Sequence, residues 1–132
     1  MKKDISIPKV DGVTVAAVQE YNDTDKTNDW YVYLINEKDN NLEMVVVVSQ
    51  GFSATKTTSI FRKKIEKLPA NSFAKIELIH PDVFALQNRF QVTFFEENQL
   101  FEKTFFFEAN TIKEGALRML KQIDKRGVLA SS

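Results

Sequence analysis

The stretch RFQVTFFEENQLFEKTFFF, residues 89–107, decides the fold class, because it has the pattern of two strands joined by a tight turn. With the turn centred on Glu97 and Asn98, the two faces of this hairpin differ in character. The aromatic face consists of the pairs Phe90–Phe105, Val92–Lys103 and Phe94–Phe101. The other face consists of the pairs Gln91–Thr104, Thr93–Glu102 and Phe95–Leu100. The contrast predicts an antiparallel hairpin with one face against a core.

A second hairpin is predicted in DWYVYLINEKDNNLEMVVVVS, residues 29–49, around a loop at 37–41. This register forms the pairs Leu34–Met44, Val32–Val46 and Trp30–Val48. The opposite face is also largely apolar, since it holds Tyr31, Tyr33, Val45 and Val47. Strands that are apolar on both faces lie in the middle of a fold, so we expect this hairpin to be central.

Further strands are predicted from alternating apolar residues at 13–21 and 73–79, and a short edge strand at 5–7 precedes Pro8. Residues 58–68 fit a helix or a strand, and we favour a strand that would complete an up-and-down meander. Near the end of the chain, Thr111 and Glu114 have capping-box spacing. One helical stripe follows, formed by Ile112, Ala116, Leu120 and Ile123.

The predicted fold is therefore a single domain over residues 1–132, mainly β. It is an antiparallel β-sandwich or a curled sheet of meander hairpins, with a short amphipathic C-terminal helix. The composition is typical of a globular protein, with 43% hydrophobic and 27% charged residues. The start of the chain has no apolar signal-peptide core, and no apolar run reaches eighteen residues. We expect a soluble, cytoplasmic protein with no membrane partner.

Catalytic chemistry has little support in the sequence. The chain has no cysteine, which excludes disulfides, thiolate zinc sites and cysteine nucleophiles. Its one histidine, His80, precedes Pro81 and has no nucleophile or metal-ligand partner in a known motif, so a structural role is favoured. The Lys56-Thr57 pair lacks the glycines that a phosphate-binding loop requires. We expect neither a catalytic residue nor a cofactor, and we favour a non-enzyme.

A calcium site is the weakest of the candidate sites. Asp23, Asp25 and Asp29, with Asn28 between them, place oxygen ligands close together before the central hairpin. The twelve-residue calcium pattern is not met, because Leu34 stands where a bidentate glutamate belongs. Aspartate and asparagine are also ordinary turn formers, so no metal is expected here.

A basic patch is predicted between Phe61 and Phe73, and it consists of Arg62, Lys63, Lys64 and Lys67. Basic residues interleaved with aromatic ones are typical of nucleic-acid surfaces. The whole chain has a pI of about 6.6 and no nucleic-acid motif, however. Nucleic-acid binding is therefore not the favoured interpretation.

Several stretches together resemble a family of short bacterial proteins. They are KKDISIPKV, DWYVYLIN, EMVVVVSQG, SFAKIELI, VTFFEENQLFEKTFFF and KRGVLA, which cover nearly the whole chain. Some members of that family carry the label phenylalanine–tRNA ligase alpha subunit. The catalytic domain of such a subunit is far larger than 132 residues, and its ATP-binding arginine motifs are not found here. The resemblance therefore transfers no site residues.

The leading functional hypothesis is a protein-interaction or oligomerisation module that binds a second copy or another protein. It is motivated by surplus apolar groups on the outer face of the Phe-rich hairpin, namely Phe95, Leu100 and Phe106. The alternative is a small-ligand-binding β domain, with an aromatic cavity between the layers lined by Trp30, Tyr31 and Tyr33.

Overall fold

A computed structural model describes residues 10–132, which form two antiparallel sheets. Nine strands lie in this part of the chain: β1 Val13–Asn22, β2 Thr27–Asn36, β3 Leu42–Phe52, β4 Phe61–Leu68, β5 Ser72–Leu78, β6 Gln87–Glu96, β7 Gln99–Phe107, β8 Arg118–Leu120 and β9 Lys125–Leu129. Two single 3-10 turns occur at Pro81–Val83 and Glu114–Ala116. The prediction of a mainly β, antiparallel fold is confirmed.

Sheet A has the strand order β5-β2-β1-β9-β8, and sheet B has the order β4-β3-β6-β7. The inner faces of the two sheets pack against each other and enclose the main core. Its fully buried side chains include Val15, Val32 and Leu34 from sheet A, and Val47, Val92 and Phe94 from sheet B. A second, smaller cluster lies on the outer face of sheet A, so that sheet has buried apolar side chains on both sides.

The Phe-rich hairpin is confirmed in its exact register. β6 and β7 pair Phe90 with Phe105 and Phe94 with Phe101, and the turn residues Glu97 and Asn98 both have positive φ, 50° and 66°. Two consecutive residues of positive φ are the signature of the two-residue turn that matches the twist of a hairpin. Phe94 is fully buried and Phe95 is on the opposite face, as the alternation predicts.

The predicted central hairpin is wrong, because β2 and β3 lie in different sheets. β2 pairs with β1 and β5, whereas β3 pairs with β4 and β6. The segment at 37–41 is an arch from one sheet to the other, held by the buried side chain of Asn36. Its Nδ2 donates to the carbonyls of Asn40, Leu68 and Pro69 at 3.0–3.2 Å, and its Oδ1 accepts from the N–H of Lys38. An alternating pattern does not distinguish such an arch from a hairpin.

Within residues 58–68, the strand interpretation is confirmed for Phe61–Leu68, which is β4, and the strands predicted at 13–21 and 73–79 are β1 and β5. The chain is not a simple meander, however. β5 follows β4 of sheet B along the chain, but it pairs with β2 in sheet A. The edge strand predicted at 5–7 lies outside the described residues.

The predicted C-terminal helix is wrong. The region forms a 3-10 turn and the β8–β9 hairpin, and β9 pairs with β1. The residues of the predicted helical stripe pack in two separate clusters. Ile112 lies inside the sandwich, whereas Leu120 and Ile123 lie on the outer face of sheet A. Gly127 allows β9 to approach β1, since a Cβ there would lie 2.8 Å from the carbonyl oxygen of Ala17.

Candidate functional site

The outer face of sheet B carries three exposed apolar side chains, which we call the apolar patch: Met44, Phe95 and Leu100. Their exposed fractions are 68%, 36% and 55%. Phe95 and Leu100 are direct partners across β6 and β7. Met44 sits where the pairing of β3 with β6 is irregular, and its φ of 49° belongs to the left-handed region. At this bulge the Met44 side chain lies in solvent, although the residues on either side of it, Glu43 and Val45, pair with neighbouring strands.

The patch lines an open groove of about 610 Å³ that also touches Val46, Ile65 and Thr93. Beside it, one row of paired residues crosses all four strands of the outer face: Lys64, Val46, Thr93 and Glu102. The row has a cation on the edge strand β4 and an anion on the opposite edge strand β7. Glu102 also accepts a hydrogen bond from Gln91 on the same face. The outer face thus carries the apolar patch at one end, beside the exposed Glu43 and Lys67, and the row from Lys64 to Glu102 has opposite charges at the two edges.

The structure brings two of the three predicted patch residues together. Phe95 and Leu100 are neighbours, but Phe106 pairs with Arg89 near the other end of the hairpin and forms a bridge with Ser131. Sequence reasoning missed Met44, which it assigned to a paired position in a hairpin that does not form. A bulge leaves no mark in an alternating pattern, so no signal in the sequence located this residue.

The predicted aromatic cavity residues do not line one cavity. Trp30 is buried inside the sandwich, edge-on to Phe84 at 5.7 Å between ring centroids. Tyr31 and Tyr33 lie on the outer face of sheet A, because Tyr33 is part of the second apolar cluster and Tyr31 packs against it. Alternation along β2 separates Trp30 from Tyr31, and Tyr33 falls on the same side as Tyr31.

Tyr33 belongs instead to a polar network across four strands of sheet A. Its hydroxyl donates to Glu20, which also accepts from Lys75 at 2.9 Å and lies 3.5 Å from Lys125 Nζ. Lys75 Nζ is 4.0 Å from the ring centre of Tyr31. Burial raises the pKa of Tyr33, and the Glu20 carboxylate raises it further, so the phenol stays a neutral donor. The network ties the four strands together.

Acid sensitivity follows from the Glu20 network. Burial alone would raise the pKa of Glu20, but the hydrogen bonds from Tyr33 and Lys75 and the charges of Lys75 and Lys125 lower it below 4.5. The network therefore stabilises the fold above pH 4.5 and loses this contribution as the pH falls through the folded-state pKa. Wild type should exceed Glu20→Gln in stability by about 0.5–1 kcal/mol at pH 7. In urea titrations, this difference should shrink at pH 3; an unchanged difference would refute the account.

The other predicted sites are dispersed. In β4, Arg62 and Lys64 pair with Val48 and Val46 on the outer face, whereas Lys63 pairs with the buried Val47. Lys63 therefore lies on the opposite face of β4 from Arg62 and Lys64, and Lys67 pairs with Glu43 farther along the strand.

The aspartate-rich turn satisfies its own polar groups. Asn22 Nδ2 lies 3.4 Å from Asp25 and 3.1 Å from Asp29, and Thr27 donates to Asp29. Asp23 lies in the same turn and is exposed. Within residues 10–132, no three His, Asp or Glu side chains converge in a geometry that would hold a metal ion. His80 is exposed, and its Nδ1 accepts from the N–H of Asp82.

The fold and this surface define a two-sheet antiparallel sandwich with an exposed, partly apolar sheet face. No protein-family model matches the chain, and no curated protein is similar enough to count as a relative. The resemblance to short bacterial proteins therefore stays a prediction from the sequence. Across the residues that the structure describes, no helix has the length and apolar character needed to cross a bilayer.

Proposed function

We propose that the protein is a non-enzymatic oligomerisation module in which two copies meet through the outer faces of their sheet B. The observation that carries the proposal is the apolar patch, where Met44, Phe95 and Leu100 lie side by side in solvent. Adjacent large apolar side chains bordered by polar ones are typical of protein-binding surfaces. Covering them with a second copy would remove apolar area from water, which favours association.

The charges on this face support a second copy of the chain as the occupant. A two-fold axis that lies between the faces and runs parallel to the strands superposes β4 of one copy on β7 of the other. Lys64 then faces Glu102 of the second copy, and Met44 and Phe95 of one copy meet Phe95 and Met44 of the other. Leu100 lies over the Lys67 position at the β4 edge, because the two residues belong to one row across the sheet. An axis perpendicular to the strands would instead place the basic β4 edges against each other. The Lys64–Glu102 row and the Met44–Phe95 pair are therefore complementary to themselves in one orientation.

The size of the face implies a reversible dimer. Four strands about 4.8 Å apart and eight residues of about 3.3 Å each cover about 500 Å² of sheet plane. Stable complexes bury about 800 Å² on each partner, so we expect a dissociation constant in the micromolar range or weaker. The predicted cytoplasmic location is compatible with this function but is not required by it.

Reversing either edge charge should weaken the dimer. Lys64→Glu and Glu102→Lys each place two like-charged pairs across the symmetric interface, and each should raise the dissociation constant about tenfold. The double variant Lys64→Glu with Glu102→Lys restores opposite charges and should recover wild-type affinity. Sedimentation equilibrium over a range of protein concentrations measures all three.

A matched control is Lys121→Glu, which makes the same charge change at an exposed site in the β8–β9 turn of sheet A. It should leave the dissociation constant unchanged. A wild-type protein that is monomeric at millimolar concentration, or a double variant that is as weak as the single ones, would contradict the proposed interface.

A further inference from the structure

A polar crevice opens between the two sheets at the end of the sandwich opposite the apolar patch. One wall is the end of β5, with Glu77, and the other is β3 and β6, with Ser49 and Asn88. The Ser49 hydroxyl donates to Glu77 Oε2 at 2.6 Å, so this hydrogen bond joins sheet B to sheet A. The crevice has a volume of about 240 Å³.

Two acceptor oxygens in the crevice have no donor within the described part of the chain. Ser49 uses one oxygen of the Glu77 carboxylate, and Oε1 has no hydrogen-bond partner there. Two hydrogen bonds fix the orientation of the Asn88 amide: its Nδ2 donates to the carbonyls of Val83 at 2.9 Å and Leu86 at 3.1 Å. Its Oδ1 is therefore the acceptor that remains for a ligand.

The charge of Glu77 is also uncompensated in residues 10–132, where no Lys, Arg or His lies within salt-bridge distance of it. Burial raises the pKa of Glu77, and the hydrogen bond from Ser49 offsets part of that rise. A partly desolvated carboxylate that lines the same crevice as a free amide oxygen favours a ligand that brings both positive charge and several N–H donors. The side walls include the apolar side chains of Phe61, Ile79 and Val83, which suit a short hydrocarbon tail.

We propose that this crevice is a binding site for a primary alkylammonium group, which donates hydrogen bonds to Glu77 Oε1 and Asn88 Oδ1. The tail of the ligand packs on the apolar wall, while the ammonium group replaces water at the two oxygens. The site is independent of the dimer interface, because it lies at the other end of the sandwich and involves the opposite face of β3.

The test is a titration of the isotope-labelled full chain with n-butylammonium chloride, followed by amide NMR shifts at constant ionic strength. Saturable shifts are expected at Ser49, Glu77 and Asn88. Tetramethylammonium chloride, a cation without N–H donors, should bind at least tenfold more weakly, and sodium chloride should give no saturable shift at these residues.

The variant Glu77→Gln keeps an acceptor for Ser49 and removes the charge, so it should fold and bind n-butylammonium at least tenfold more weakly. The matched control Glu66→Gln changes an exposed carboxylate on β4 and should bind as wild type does. Absence of saturable shifts at the crevice, equal binding of sodium ions, or wild-type binding by Glu77→Gln would each overturn the proposal.

Discussion

Phe94→Ala is expected to lower the free energy of unfolding by about 3–5 kcal/mol. The Phe94 ring is fully buried and stacks on Phe101, with 5.4 Å between ring centroids and 15° between ring planes. Truncation removes this apolar contact and leaves a cavity that the two packed sheets cannot close. Urea denaturation of the variant and of wild type measures the difference.

The neighbouring substitution Phe95→Ala is the control, because it removes the same ring from the outer face of the same strand. Phe95 is 36% exposed, and its truncation should cost about 1 kcal/mol or less. Equal losses for the two variants would mean that the strand does not alternate as described, and a larger loss for Phe95→Ala would require the register of β6 to shift by one residue.

Asn36→Ala should lower the free energy of unfolding by about 3 kcal/mol, because it removes four hydrogen bonds that this buried side chain makes to backbone groups. Asn36 is 1% exposed and bonds to the backbone of the arch and to Leu68 and Pro69 beside it. Thermal and urea unfolding both measure the loss.

Asn41→Ala is the matched control for the arch. Asn41 is exposed and makes one hydrogen bond, from the N–H of Ala70 at 2.9 Å, so its loss should cost about 1 kcal/mol or less. A small effect of Asn36→Ala would mean that the crossing from sheet A to sheet B is held by something other than this side chain.

The fold was predictable where local chemistry determines pairing. The Phe-rich hairpin has one register that separates aromatic from polar residues, and the Glu97–Asn98 turn matches it. The arch at 37–41 was not predictable, because β2 and β3 are apolar on both faces and their alternation fits pairing or crossing equally well. The prediction of a C-terminal helix was wrong for a related reason. The spacing from Ile112 to Ile123 fits a helix, but these side chains enter cores on opposite sides of sheet A.

The candidate site was predictable in part. Phe95 and Leu100 were identified because the hairpin register places them together on the polar face, where apolar residues are out of place. Neither the exposure of Met44 nor the pairing of Lys64 with Val46 could be predicted without the positions of β3 and β4. Those positions depend on contacts between residues far apart in sequence. Glu77 and Ser49 likewise meet only because the two sheets pack, so the crevice has no signature in the sequence.

The most direct test of the proposed dimer is an isotope-filtered NOE experiment on an equimolar mixture of labelled and unlabelled protein. In the symmetric dimer, Phe95 of one copy lies over Met44 of the second copy, since the axis parallel to the strands superposes β6 on β3. We predict intermolecular cross-peaks between the Met44 methyl group and the Phe95 ring. Absence of such cross-peaks at concentrations where the protein is dimeric, or intermolecular contacts from the outer face of sheet A instead, would contradict the account.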